Sequence, residues 1–378
     1  MKRTSLLSLL LMLCFPLVYG QKKAASPKEF FLLVGTYTAK TSEGVYCYKF
    51  NTKTGDFEYA STAKGLKNPS FLTVSPNKKM VYTVGEYDKV GAVNALKVND
   101  KTGELTFVNT QPAGGGASCH ITTDKSGKWI LVGNYTGGDL SILPINADGS
   151  VGVLKQTIQH KGSSVNKDRQ TAPHVHSVNI AANNRDVFVP DLGLDKIMTY
   201  SLDAKTGALT AGNPAFTAVE AGAGPRHFCF HPNNKFAYSI QELNSSVNVY
   251  DYKNGALTEK QMISTLPDSY TGQKWCADFH ISADGKFLYA SNRGHQSLTI
   301  YSVDPQTGKL TWVDNTSVLG KTPRNFTIDP TGNFVLVANQ DSDNIVIFKR
   351  DKTTGKITPT GKEITVSMPV CLQWLPKK

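Results

Sequence analysis

The chain has 378 residues, with 41 Lys and Arg against 30 Asp and Glu, and a formal charge of +11. The lysines fall mostly in predicted turns, where they are solvated and keep sheet edges from pairing with other chains. Because the sequence has no basic run of the kind that follows a nucleic-acid backbone, a nucleic-acid partner is not expected. The charge predicts only a modest preference for anionic ligands.

The first twenty residues have the pattern of a secretory signal peptide. Lys2 and Arg3 precede an apolar stretch at residues 6–18, and the site Val18-Tyr19-Gly20 predicts cleavage before Gln21. The apolar stretch is shorter than the roughly 20 residues that span a bilayer, which argues against a membrane anchor; a lipoprotein built on Cys14 is the other alternative. We expect export to the periplasm or the extracellular space, no membrane anchor after cleavage, and a short linker at residues 21–29.

Residues 30–378 carry a repeat whose recurring unit is a β-hairpin turn. Each turn places Gly two residues before an apolar residue, and in most repeats an upstream Asn or Asp can bond the backbone ahead of it. The period of about 46 to 58 residues is that of a propeller blade. The turn glycines are Gly55, Gly103, Gly149, Gly207, Gly255, Gly308 and Gly355.

Four β-rich runs in each repeat predict one all-β domain, a seven-bladed β-propeller with four antiparallel strands per blade. The seventh blade is split, with its second strand at residues 31–35 and its first at residues 369–376, so N- and C-terminal strands close the ring. The alternative, a Greek-key β-sandwich, would not explain why the same four-strand pattern recurs in register through all seven repeats. The six complete blades open near Pro69, Ser118, His176, Pro225, Ala277 and Pro323.

Five cysteines remain after the predicted cleavage. They show no Cys-x-x-Cys pair and no zinc-binding spacing. Most fall in predicted strands, so we expect buried free thiols, with a disulfide as the alternative that an exported protein permits. The five are Cys47, Cys119, Cys229, Cys276 and Cys371.

Chain direction places the start of each inner strand and the end of each second strand at one mouth of the central channel. At these positions the blades diverge into His, Arg, Asp, Glu and Asn, whereas the strand interiors stay apolar. Such divergence at one face is typical of a ligand-binding mouth. The longest insertion, at residues 160–170, falls on the same face and either overhangs the channel or is a solvated loop.

Six motifs at this mouth follow one another along the chain: Pro173-His174-Val175-His176-Ser177, Asp191-Leu192-Gly193-Leu194-Asp195-Lys196-Ile197, Gly224-Pro225-Arg226-His227, Glu242-Leu243, Ser291-Asn292-Arg293-Gly294 and Thr322-Pro323-Arg324-Asn325-Phe326. The ordered set resembles the seven-bladed propeller lactonases, typified by bacterial 6-phosphogluconolactonase. The resemblance covers nearly all of the chain after the linker. It implies a carboxylic ester hydrolase that converts a sugar δ-lactone, 6-phosphogluconolactone or a related aldonolactone, to its acid. The family's muconate-lactonising branch leaves that reaction as an alternative.

Lactone hydrolysis needs a base to activate water, donors for the oxyanion, and groups that bind sugar hydroxyls or a phosphate. We expect the base to be Glu242 or one of the histidines His176 and His227, and Arg226 to be a catalytic cation. Planar guanidinium groups and Asn side chains suit the substrate. The predicted substrate-binding residues are His174, Asp191, Asn292, Arg293, Arg324, Asn325 and Gln340.

Two of these residues also have a structural interpretation. Asp191 would cap the turn at Gly193, and Glu242 would be an ion-pair partner of Arg226 or Arg293. We expect no metal and no cofactor, because the arginines and histidines of the mouth repel a dication. Calcium is the alternative, with oxygen ligands available at Glu86, Asn134, Asp191, Glu242 and Asn292.

The predicted export bears on the substrate. Phosphorylated sugar lactones are made in the cytoplasm, so an unphosphorylated aldonolactone is a plausible substrate for an exported enzyme. The non-enzymatic alternative is a propeller that binds a carbohydrate or a protein without turnover. The expected partner is a small sugar lactone, and the expected state is a monomer or a weak dimer.

Overall fold

The computed structural model describes residues 29–377. Within that range the chain forms 28 β-strands and no helix, arranged as seven four-stranded antiparallel sheets. This confirms the predicted all-β, seven-bladed propeller. The predicted signal peptide lies outside the described residues, and Glu29, which we placed in the linker, is instead the first residue of the first strand. No stretch between residues 29 and 377 forms a helix long and apolar enough to cross a membrane.

The blades are numbered from the first complete one, and their strands are given from the channel outward. Blade 1 contains β4 (Leu72–Val74), β5 (Met80–Gly85), β6 (Ala92–Val98) and β7 (Leu105–Pro112). Blade 2 contains β8 (Ser118–Thr123), β9 (Trp129–Asn134), β10 (Asp139–Pro144) and β11 (Gln156–Gln159). Blade 3 contains β12 (Asn179–Ile180), β13 (Asp186–Asp191), β14 (Lys196–Asp203) and β15 (Ala208–Ala218).

The remaining blades repeat this order. Blade 4 contains β16 (Pro225–Phe230), β17 (Phe236–Gln241), β18 (Ser246–Lys253) and β19 (Ala256–Ser264). Blade 5 contains β20 (Cys276–Ile281), β21 (Phe287–Asn292), β22 (Ser297–Val303) and β23 (Leu310–Ser317). Blade 6 contains β24 (Pro323–Ile328), β25 (Phe334–Asn339), β26 (Asn344–Arg350) and β27 (Ile357–Thr365).

Blade 7 joins the two ends of the described chain. Its order is β28 (Pro369–Pro376), β1 (Glu29–Thr36), β2 (Gly44–Asn51) and β3 (Phe57–Lys64). The pairing of β28 with β1 is antiparallel and runs from Phe30 opposite Pro376 to Thr36 opposite Pro369. The predicted closure is therefore confirmed, and it leaves no unpaired strand edge inside the ring.

Apolar side chains between adjacent blades form the core. The second strand of each complete blade is buried along its whole length, because a blade packs on both of its faces. Phe50 of blade 7, for example, meets Phe334 of blade 6 edge to face, with ring centroids 5.8 Å apart. Burying one such side chain contributes roughly 1.5 to 3 kcal/mol. All five cysteines of the described chain are free thiols, four of them buried, as predicted.

The repeated glycine turns lie on the face opposite the mouth. Gly207 and Gly308 have φ values of 73° and 72°, which other residues rarely adopt. A Cβ added at these positions would come within 2.5 Å of the rings of Trp129 and Phe236, respectively. Glycine is required at these two positions for both reasons, so part of the periodic signal in the sequence comes from the packing of such turns against the neighbouring blade.

Candidate active site

Bulges at the openings of the inner strands aim side chains into the mouth. The pairing register shifts between Pro225 and His227 and between Pro323 and Asn325, and a similar shift occurs in blade 2. A bulge leaves one residue without a ladder partner and re-aims its side chain. The residues skipped in this way, Cys119, Arg226 and Arg324, all line the cavity at the mouth.

A buried carboxylate, Glu242, gathers three guanidinium groups just beyond the end of β17. Its Oε2 lies 2.9 Å from Nε of Arg226 and 2.8 Å from Nη2 of Arg293, and its Oε1 lies 2.7 Å from Nη2 of Arg169. The indole Nε1 of Trp275 also donates to Oε1, at 3.3 Å. This arrangement matches the ion-pair interpretation of Glu242.

The protonation state of Glu242 follows from its neighbours. Burial raises its pKa, but the attraction of the surrounding cations, with Arg293 and Arg226 foremost, outweighs burial and holds the pKa well below its usual value. A carboxylate this acidic stays ionised and accepts a proton from water poorly. The geometry therefore favours an anchoring role for Glu242, and its role as the base stays a prediction.

Arg324 is a cation at the mouth that makes no hydrogen bond and no ion pair with the described part of the chain. Its guanidinium carbon lies 5.4 Å from the centroid of the Tyr37 ring. Burial lowers the pKa of Arg324, but Tyr37, Glu86 and Glu242 together raise it by more, so the group stays charged. A free guanidinium fork suits an oxyanion, a carboxylate or a phosphate.

The histidines His176 and His227 are buried at the mouth, with ring centroids 5.7 Å apart. Burial lowers the pKa of His176 well below its usual value, and Arg226 adds to this effect. For His227, burial and then Arg226 lower the pKa to about 4. Both rings are therefore neutral near pH 7, and a neutral imidazole can accept a proton.

Two adjoining cavities lie among these groups. The outer cleft has a volume of about 210 Å³ and includes Arg169, Trp275 and Arg293 in its walls. Ligand pockets for drug-sized molecules are larger, about 300 Å³ or more, so the outer cleft fits a single small molecule. The inner cavity, of about 10 Å³, is bordered by Arg226 and His227. Both share the walls Glu86, Cys119, His176 and Arg324.

The insertion at residues 160–170 reaches over the channel and contributes Arg169, which sequence analysis missed. The Arg169 side chain is 37% exposed, and its Nη2 donates to Glu242 and, at 3.1 Å, to the hydroxyl of Tyr135. The available signal was the position of the insertion. That position does not distinguish Arg169 from the other charged residues of the same loop.

Buried carboxylates hold this loop in place. Asp191 lies 2.6 Å from Nδ1 of His160 and accepts from the backbone N of Gly193 at 3.0 Å, as the turn-capping interpretation predicted. Asp195 accepts from Nε2 of Gln170 at 2.7 Å. Asp191 is fully buried and does not line either cavity, which favours a role in positioning the loop; its role in binding substrate stays a prediction.

The two predicted asparagines are engaged by the protein. Asn292 is fully buried, and its Nδ2 donates to the backbone oxygen of Thr265 at 2.9 Å. Asn325 borders the inner cavity, but its Nδ2 donates to Asp278 and its Oδ1 accepts from the backbone N of Leu372. Both side chains are thus bonded to other protein groups, and their role in binding a sugar hydroxyl stays a prediction.

His174 and Gln340 lie at the mouth but outside the walls of both cavities. The His174 ring stacks on Tyr135 with centroids 4.4 Å apart, so it supports a residue that does line the outer cleft. Gln340 donates to the neighbouring Asp341 at 3.0 Å. Of the predicted substrate-binding residues, Arg293, Arg324 and Asn325 border the cavities.

The candidate calcium ligands belong to separate hydrogen-bond networks. Asn134 is held by Ser118 and Asp139, Asn292 by Thr265, and Glu242 by its arginines. Across residues 29–377, no group of three or more His, Cys, Asp or Glu side chains has a geometry that could hold a metal ion. These oxygen atoms serve contacts within the protein.

A family model for the seven-bladed β-propeller lactonases matches residues 31–374. The chain belongs to this lactonase family, as its motifs predicted. It is 35% identical to the 6-phosphogluconolactonase of Bacillus subtilis over 296 residues, which are 78% of this chain and 83% of that protein. It is 39% identical to the 6-phosphogluconolactonase of Formosa agariphila over 305 residues, covering 78% of this chain and 85% of that protein.

Solved structures show the same likeness over more of the chain. The periplasmic gluconolactonase of Pseudomonas aeruginosa matches with a TM-score of 0.89 at 34% identity, covering 93% of this chain and 100% of that one. A candidate 6-phosphogluconolactonase of Bacteroides fragilis matches with a TM-score of 0.88 at 38% identity, covering 92% and 98%. The likeness extends through all seven blades.

Proposed function

We propose that this chain hydrolyses a sugar δ-lactone to the corresponding acid at the mouth of its channel. The family model and the relatives named 6-phosphogluconolactonase and gluconolactonase bear out the predicted class, a lactone hydrolase for small sugar lactones. The observation in this chain that carries the proposal is the unpartnered guanidinium of Arg324, which shares a small cleft with a buried, neutral histidine.

Arg324 supports the electrophilic half of the reaction. Attack of water on the lactone carbonyl moves an electron pair onto the carbonyl oxygen, and preorganised donors stabilise that charge. Because Arg324 bonds no acceptor within the described residues, its N–H groups are available to this oxygen. Arg226 and Arg293 form ion pairs with Glu242 and add positive potential around the carbonyl oxygen of the lactone.

A histidine supports the nucleophilic half. Neutral His176 or His227 takes a proton from water as the new C–O bond forms. The imidazolium then returns the proton to the ring oxygen as the lactone C–O bond breaks. One lactone and one water thus give one hydroxy acid, and no other reactant is needed. The cations around Glu242 hold its pKa well below its usual value, which disfavours this carboxylate as the proton acceptor.

We further propose an exported, metal-free enzyme acting on an unphosphorylated aldonolactone. The signal-peptide pattern of residues 1–20 supports export, as does the similarity to a protein named a periplasmic gluconolactonase. The guanidinium groups around Glu242 support a metal-free site, because they repel a dication from the carboxylate at the centre of the mouth.

The test is hydrolysis of 6-phosphorylated and unphosphorylated gluconolactone, with and without chelator, beside the uncatalysed rate. We expect acceleration of the unphosphorylated lactone, no effect of chelator, and a loss in Arg324→Ala that the exposed-arginine control Arg185→Ala does not show. A rate equal to the blank on both lactones contradicts the proposed hydrolysis. A clear preference for the phosphorylated lactone would overturn the proposed substrate but not the hydrolysis. Loss of activity with chelator would overturn only the proposal that the site is metal-free.

A further inference from the structure

We propose that His227 is the base of this hydrolysis, that Asp278 is the residue that positions it, and that the inner cavity holds the water it activates. The inference rests on the proposed function and names its base, a choice that the sequence left open among three residues. It also gives a role to Asp278, a carboxylate of β20 that no motif singled out.

The contact between His227 and Asp278 is short and buried. Nδ1 of His227 lies 2.7 Å from Oδ1 of Asp278, and their side chains are 10% and 4% exposed. Because a carboxylate only accepts hydrogen bonds, Nδ1 must carry the proton. The guanidinium Nη1 of Arg226, which only donates, lies 3.1 Å from Nε2. The lone pair of the neutral ring is therefore on Nε2.

His176 lacks such a positioning partner. Its Nε2 lies 3.9 Å from Oε2 of Glu242, beyond hydrogen-bond distance, and its Nδ1 lies 3.8 Å from Sγ of Cys119. Burial raises the pKa of Cys119 to about 12, so the sulfur is a weak thiol donor and not an anion. A base that is oriented by a third group is the recurring arrangement in hydrolases, and of these two rings only His227 has it.

The inner cavity suits one water molecule. Its volume of about 10 Å³ is close to the minimum of roughly 10 to 15 Å³ that a cavity needs to hold one water, and a water is retained where it finds two to four polar partners. The wall offers His227, His176, Glu86 and Arg324. Because His176, Glu86 and Arg324 also border the outer cleft, a water there adjoins a lactone bound in that cleft.

The step balances within these groups. Water replaces the 3.1 Å contact of Arg226 at Nε2 of His227, while Nη1 of Arg226 keeps its 2.6 Å bond to the backbone oxygen of Ala277. The water proton passes to Nε2 as the water oxygen bonds the carbonyl carbon and the carbonyl electron pair moves onto its oxygen. The carbonyl then re-forms, the C–O bond to the ring oxygen breaks, and the ring oxygen takes the proton from Nε2. Asp278 keeps its charge throughout and stabilises the imidazolium.

The charges that face His227 come from several strands. Asp278 raises the pKa of His227, whereas Arg226 and His280 lower it, and burial lowers it most. The rings of His120 and His176 lie 5.8 and 5.7 Å away, centroid to centroid. His280 shares Asp278 from the other oxygen, with its Nε2 2.9 Å from Oδ2, and it borders neither cavity.

Kinetics and pH profiles of His227→Gln, His176→Gln, Asp278→Asn and His280→Gln test the assignment. We expect kcat to fall at least about hundredfold in His227→Gln and Asp278→Asn, with a smaller loss in His176→Gln. The acid limb of kcat/KM should move to lower pH in Asp278→Asn and to higher pH in His280→Gln, since the two partners act on His227 with opposite sign. A structural role would not produce opposite shifts.

NMR of the wild-type protein with ¹⁵N-labelled histidine provides a second readout that needs no stable Asp278 variant. We expect His227 as the Nδ1–H tautomer, assigned by the signal lost in His227→Gln. The Nε2–H tautomer, or a larger loss of kcat in His176→Gln than in His227→Gln, overturns the assignment while leaving the proposed hydrolysis intact. A wild-type protein that does not exceed the uncatalysed rate overturns both.

Discussion

At the scale of single residues, Glu242 neutralises charges that would otherwise repel one another across the mouth. Arg226 and Arg293 are both buried, so Glu242→Gln removes the carboxylate with which these two cations pair. Breaking a buried pair in this way costs about 3 to 5 kcal/mol, and we expect a lower Tm and a lower denaturant midpoint. An unchanged Tm together with lost turnover would instead assign Glu242 to proton transfer.

Arg324 is expected to behave in the opposite way. Because it bonds no other described residue, Arg324→Ala should leave the Tm nearly unchanged. The lost charged hydrogen bond to the substrate is worth about 1.5 to 3 kcal/mol, which lowers kcat/KM by roughly ten- to more than a hundredfold. Arg226→Ala should lower both quantities, since Arg226 also bonds Glu242 and Ala277. If kcat/KM changes by less than twofold in Arg324→Ala, Arg324 does not bind the oxyanion.

The buried histidines predict how stability depends on pH. His227 has a pKa of about 4 in the folded protein against 6.5 for an unperturbed histidine, so between these values the unfolded chain binds a proton that the folded chain does not. The free energy of unfolding should therefore fall as the pH drops from 6.5 to 4. Thermal unfolding across this range should show a declining Tm, with a shallower decline in His227→Gln. A flat Tm would contradict the neutral, buried state.

The sequence located these residues better than it assigned their roles. Arg226, His227 and Arg324 were identified because the blades diverge in residue type where the inner strands begin, and chain direction places those positions at the mouth. It did not separate Arg324 from Asn292, since whether a polar side chain faces the cleft or a neighbouring backbone oxygen depends on local bulges. The pKa of Glu242 likewise depends on the balance between burial and nearby cations, and that balance is set by distances that the sequence does not give.

At the scale of elements, the loop at residues 160–170 is a fixed rim. Arg169→Ala should raise KM about threefold to tenfold with little change in kcat, because one hydrogen-bonding group at the cleft wall is lost. Lys167→Ala, an exposed charge on the same loop, is the matched control. Equal KM values in the two variants would mean that Arg169 does not reach the substrate.

The position of this loop followed from the length of the repeat, but its rigidity did not. The carboxylates that hold it, Asp191 and Asp195, lie 31 and 25 residues after the partners His160 and Gln170 that they bond. Contacts across such separations carry no periodic signal. The turn at Gly193 could be predicted from local residues, whereas the contact of Asp191 with His160 could not.

At the scale of the whole molecule, the ring depends on one strand from the C-terminal end. Truncation before Pro369 removes β28, the inner strand of blade 7, and exposes the edge of β1 that it pairs with. We expect aggregation or a large fall in Tm, because unpaired edges template association. Removal of residues 377–378 alone is the control, since the contact that it removes within residues 29–377 is the surface ion pair of Lys377 with Glu29. A truncated chain with the full Tm would contradict closure.

The direction of these two strands has a practical consequence. β28 starts at the mouth, where Val370 borders the inner cavity, and ends at Pro376, opposite Phe30 near the start of β1. Both ends of the described chain therefore leave from the far side of the disc. We therefore expect a solid support, reporter domain or affinity handle joined close to residue 29 or residue 377 to leave the cleft facing the solution, so that immobilisation does not block access to it.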